Sequence, residues 1–126
     1  MFNYGKQVNI PFEKAVDKVK EELSKEGFGV MTEIDAKAAL YEKLGIEMDK
    51  YLIIGACNPK FAYRALQAEK EMGLLMPCNT IVYEQEGKTN IAAIMPTVTT
   101  STIKNEELNA VMLEAEKALK KVIDSV

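Results

Sequence analysis

Apolar residues recur along this chain with two different periods, and the period changes at prolines, glycines and asparagines. After a short first strand, Phe2 to Asn9, Pro11 opens a stretch in which Phe12, Ala15, Val16, Val19 and Leu23 follow a 3.6-residue repeat that stops before Gly27. This pattern predicts an amphipathic helix lying on a sheet. Phe28 to Ile34 alternates, with Phe28, Val30 and Ile34 on one side and Met31 and Glu33 on the other. Asp35 is placed to cap a short helix from Ala36 to Leu44, which ends at Gly45.

Tyr51 to Cys57 is apolar in both alternate sets, which predicts a central strand covered on both faces. Asn58 then reads as an N-cap followed by Pro59 at the first helical position, with the helix continuing through Ala62, Ala65, Leu66 and Met72 to Gly73. Leu75 to Glu84 is a strand with Pro77 near its start, Gln85 to Lys88 a hairpin turn, and Thr89 to Met95 the return strand. A Thr/Ser-rich irregular segment follows Pro96. Asn105, Glu106 and Glu107 open a last helix with the stripe Leu108, Val111, Met112, Ala115, Leu119 and Val122. The predicted order is β-α-β-(α)-β-(α)-β-β-α. With 126 residues and no linker-like stretch or repeat, residues 1–126 read as a single domain.

Composition narrows the function classes. Sixteen basic and nineteen acidic residues give a net charge of −3, the signs are interspersed, and Arg64 is the sole arginine. Nucleic-acid binding and attraction to an acidic membrane surface are therefore not expected. No apolar run approaches the roughly 20 residues of a membrane-spanning helix, and the amino terminus lacks the order of a signal peptide, so a cytoplasmic location is expected. The absence of histidine excludes Ser-His-Asp, Cys-His and His-metal constellations within the chain.

What remains is centred on two Cys-Asn dipeptides, Cys57-Asn58 before Pro59 and Cys78-Asn79 after Pro77, which hold the only cysteines. In a reducing compartment both are expected as thiols. Cys57 precedes a helix amino terminus, which favours a thiolate, with Lys60 one turn further on; it also fits a small buried residue closing a strand. Cys78 carries the same two readings. Asn58 fits a helix cap and Asn79 a turn-stabilising residue, while either is also a ligand-binding candidate. Glu33 and Asp35, two apart on a strand, resemble a carboxylate pair, although Asp35 is equally explained as a cap. Two thiolates without further close Cys pairs do not make a zinc motif, so no metal is assigned and the sequence requires no cofactor.

The segments Phe28-Gly29-Val30, Glu33-Ile34-Asp35-Ala36-Lys37, Tyr51 to Pro59 and Gly73-Leu74-Leu75-Met76-Pro77-Cys78-Asn79 together resemble the family called domain of unknown function 302. The resemblance covers nearly the whole chain. It implies an α+β fold, a two-layer arrangement with a curved, largely antiparallel sheet packed on helices, and a homodimer; it implies no activity.

Topology decides whether the thiols share a site. Parallel neighbouring strands would set Cys57 and Cys78 at opposite ends, whereas antiparallel strands would bring both to one edge. The resemblance favours the second arrangement, with a cleft floored by Gly55 and with Glu33 and Asp35 entering it. The expected function is a homodimeric binding or accessory module with a small-molecule pocket at the Cys57/Cys78 edge. The alternatives are a thiol-dependent redox or nucleophilic enzyme, with Cys57 attacking, Cys78 resolving and Glu33 or Lys60 tuning protonation, and a structural or interaction protein without such a site.

Overall fold

The computed structural model describes residues 1–126. Five strands, β1 (Asn3–Val8), β2 (Gly29–Asp35), β3 (Tyr51–Cys57), β4 (Cys78–Gln85) and β5 (Lys88–Ile94), form one sheet in the order β1-β5-β4-β3-β2. Every neighbouring pair is antiparallel. Five helices accompany them: α1 (Phe12–Lys25), α2 (Ala36–Leu44), α3 (Pro59–Ala68), α4 (Pro96–Thr99) and α5 (Glu106–Ser125). The fold is α+β, with an open antiparallel sheet packed on helices.

The apolar stripes of α1 and α5 cover one face of this sheet. Ala15, Val16, Val19 and Leu23 of α1 and Leu119, Val122 and Ile123 of α5 pack onto Ile54 and Ala56 of β3, Val82 of β4, and Ile91 and Ala93 of β5. Burying each of the larger aliphatic side chains stabilises the fold by about 1.5–3 kcal/mol. A second cluster, Ala65, Met72, Leu108, Val111 and Met112, joins α3 to α5, and Phe61 touches both clusters.

The structure corrects several expectations, among them the start of the strand expected from Leu75, which begins at Cys78. The helix after Pro59 ends at Ala68, where Glu69 is extended, and a separate 3₁₀ turn runs from Lys70 to Leu75. The Ala68 carbonyl is taken instead by the side-chain amide of Asn105 at 2.8 Å, so the break is fixed by a residue 37 positions away. The alternation in β2 is interrupted by a bulge between Val30 and Thr32, which sets Val30 opposite Ala56 but Ile34 opposite Ile53, hence on opposite faces. The segment after Pro96 is helical over Pro96–Thr99 rather than irregular, because the buried carboxylate of Glu116 accepts hydrogen bonds from Thr97 N at 3.1 Å and Thr97 Oγ1 at 2.6 Å.

The expectation that β3 is covered on both faces is corrected as well: helices α1 and α5 cover one. The opposite face carries Ile34, Ile53, Ile81, Ala92 and the stacked pair Tyr51–Tyr83, whose rings lie 5.4 Å apart. Helix α2 has no buried residue, and its Tyr41 and Leu44 are 58% and 65% exposed.

Candidate functional site

The antiparallel pairing of β3 with β4 sets Ala56 opposite Cys78 and Gly55 opposite Asn79, so both Cys-Asn dipeptides lie at the same end of the sheet. A cleft of about 290 Å³ opens there. Its sheet side is Ala56, Cys57 and Cys78; Phe61, Ala62 and Ala65 of α3 and Met112 and Ala115 of α5 form the helical walls. Met72, Leu74, Leu75 and Met76 reach it from the 3₁₀ turn and the following cis Met76–Pro77 bond, and Pro96 and Thr99 close the far side. Phe28 meets Phe61 edge-on, with ring centroids 6.2 Å apart.

None of the nineteen lining residues is charged, and fourteen are hydrophobic. A cleft of this composition has no group to pair with an ion, so it suits an uncharged molecule or the uncharged part of one.

Strand alternation turns Cys78 toward the helices, where it packs against the main core, and sets Cys57 out of phase with it. Both are free thiols. Burial pushes the Cys78 thiol up to about 11, with the nearby Cys57 as a smaller contributor, and burial also raises Cys57. Desolvation disfavours the charged thiolate.

Asn58 is bonded at both ends of its amide. Its Oδ1 accepts from Lys60 N at 3.1 Å and caps α3, while its Nδ2 donates to the Glu26 carbonyl at 3.1 Å. The same amide fits closely over Gly27, where φ is +83° and an added Cβ would lie 3.0 Å from Nδ2. Asn79 borders the cleft and is exposed, with its Oδ1 on the Gly55 side of the sheet.

The remaining candidates are elsewhere. Glu33 pairs with Lys20 of α1 at 2.9 Å, and Asp35 caps α2 by accepting from Ala38 N at 2.9 Å; neither lines the cleft. Gly55 does not floor it. An added Cβ there would overlap Thr32 Oγ1 and come within 2.8 Å of Pro77 Cγ, so Gly55 serves the close packing of β2, β3 and the start of β4. The methionines Met72, Met76 and Met112 were legible only as core; their convergence on the cleft depends on α5, whose residues are far away in sequence. Glu116, which holds α4 in place, gave no sequence signal beyond an acidic residue within a helix.

The chain matches the family described as "Domain of unknown function DUF302" over residues 4–126. It belongs to the DUF302 family. It is also similar to a solved structure described as an uncharacterized conserved protein DUF302 from Bacillus stearothermophilus, with 29% sequence identity and a TM-score of 0.93. That likeness covers 99% of this chain and 98% of the other. No curated protein matches the chain. No helix of this DUF302 protein is long and apolar enough to cross a membrane.

Proposed function

We propose that this DUF302 protein is a cytoplasmic homodimeric binding module, acting as one domain, that takes a small molecule into the cleft at Cys57 and Cys78. The observation that carries this reading is the uncharged cleft itself, at about 290 Å³ near the lower end of the usual size for small-molecule sites. Cys57, Cys78 and Asn79 border the ligand, and Asn58 shapes the cleft by holding α1 to α3. Binding is favoured over thiol catalysis because burial keeps both thiols in their weakly nucleophilic neutral form at neutral pH.

The homodimer is supported by the face of the sheet that α1 and α5 leave uncovered. From Thr32 and Ile34 through Ile53, Gly55, Asn79, Ile81, Tyr83, Asn90 and Ala92 to Gly5 and Gln7 there is no charged side chain, and the face's one strand cation, Lys88, sits at the β4–β5 hairpin end opposite Gln85. Two copies of a chain with net charge −3 would meet along it without burying like charges.

Native mass spectrometry of protein purified without chelator tests the binding reading. One retained small molecule per subunit is expected, absent from Ala62→Phe, which fills the cleft from a half-buried helix position. Wild-type subunits that carry only their own mass would contradict it, as would a molecule equally retained by Ala62→Phe.

A further inference from the structure

The ligand class follows from what the cleft does not offer. Besides lacking charge, it holds only three amide or hydroxyl side chains: both ends of the Asn58 amide are bonded, Thr99 Oγ1 donates to the Pro96 carbonyl at 3.0 Å, and Asn79 is an exposed border residue whose Oδ1 lies on the Gly55 side of the sheet rather than at the bottom. No buried side-chain nitrogen or oxygen in the protein lacks a partner. A ligand hydroxyl, amide or carboxylate carried to the bottom of this cleft would lose its water and find only weak partners such as the Cys78 thiol in exchange, whereas carbon atoms lose nothing.

Two further features point the same way. Met72, Met76 and Met112 bring three unbranched thioether chains to the walls, and such side chains re-pack around apolar shapes. At the rim, Leu74 is 82% exposed and Leu75 44% exposed, two apolar side chains held in solvent beside an apolar opening. At about 30 Å³ per water-sized group, the cleft holds about ten non-hydrogen atoms.

Resting on the small-molecule reading above, we infer that the cleft takes an uncharged hydrocarbon moiety of about ten non-hydrogen atoms, with any polar or charged end of the ligand left outside past Leu74 and Leu75. The recognition is by shape and desolvation, with the neutral thiols of Cys57 and Cys78 contributing as small apolar groups.

Isothermal titration calorimetry with a series of primary alcohols from butanol to tetradecanol tests this. Affinity is expected to rise roughly fourfold per added methylene, as burial of each CH₂ predicts, and to level off near ten non-hydrogen atoms. 1,10-Decanediol, which would carry a second hydroxyl to the bottom, is expected to bind at least about tenfold more weakly than 1-decanol. Ala62→Phe is expected to abolish the binding of both, with unchanged circular dichroism confirming its fold. Affinity independent of chain length, or a diol that binds as tightly as the alcohol, would overturn the assignment. If no alcohol binds while Ala62→Phe still loses the molecule retained from the cell, the cleft is a binding site for a different ligand class and this inference alone fails. Alcohol binding that survives Ala62→Phe would move the ligand to another surface and overturn it as well.

Discussion

Asn58 donates its side-chain amide to the main-chain carbonyl of Glu26 at 3.1 Å, and so ties the end of α1 to the start of α3. The same side chain caps α3 through Lys60 N. Asn58→Ala is therefore expected to lower stability by about 1 kcal/mol for the cap and about 1 kcal/mol more for the lost bond to Glu26. Asn58→Asp keeps the cap acceptor but loses the donor, so urea unfolding should rank it between the two. Equal stability of Asn58→Ala and wild type would remove the structural role assigned here.

The thiols give a pH dependence of known sign. Cys78 titrates near 11, above the ordinary thiol value, so the folded protein holds its proton more tightly than the unfolded chain. Its contribution to stability is complete below the unfolded pKa, near 8.5, and is lost as pH rises through about 11. Cys57 acts in the same direction. Alkylation by iodoacetamide should be slow for both at pH 7, with Cys78 gaining rate only in strongly alkaline buffer. Rapid labelling of either thiol at pH 6 would support the rival thiol chemistry.

Gly55→Ala is expected to destabilise the fold by about 1–3 kcal/mol, since the new methyl group meets Thr32 Oγ1 and the rigid ring of Pro77. Thr32→Ala should recover part of this loss in the double variant, because it removes the flexible obstacle and leaves the proline. Purely additive effects in thermal unfolding would show that Thr32 and Gly55 do not meet.

The sheet face that α1 and α5 leave uncovered yields a separate outcome. Ile81→Lys adds a cation between Ile53 and Ala92 at the centre of that face, where nothing is available to pair with it. Light scattering should report a dimer for the wild type at micromolar concentration and a folded monomer for Ile81→Lys. An unchanged mass would remove this face from the interface.

Much of the fold is legible in the sequence where one local rule acts alone. The boundaries of Tyr51–Cys57 and Ala36–Leu44 follow from an apolar run ending at Asn58-Pro59 and from Asp35 and Gly45 flanking a helical stretch. Legibility fails where a distant residue intervenes. Glu69 and Lys70 are good helix formers, yet α3 stops before them because Asn105 takes the Ala68 carbonyl and starts α5 at the same point. The β2 bulge is likewise a pairing event between Val30, Thr32 and β3 that alternation within one strand does not reveal. At the site, Cys57 and Cys78 were readable as neighbours once antiparallel pairing was assumed. Met112, Ala115, Pro96 and Thr99 complete the cleft only through the packing of α4 and α5.

Methionine methyl groups offer the most direct test of the cleft as the binding site. The chain has seven, of which Met72, Met76 and Met112 line the cleft while Met1, Met31, Met48 and Met95 do not. In methyl-labelled protein titrated with 1-decanol, the resonances of Met72, Met76 and Met112 are expected to move together and saturably, with the other four unchanged. Shifts at Met31 or Met48 with Met72, Met76 and Met112 silent would contradict the account and place apolar binding on another surface.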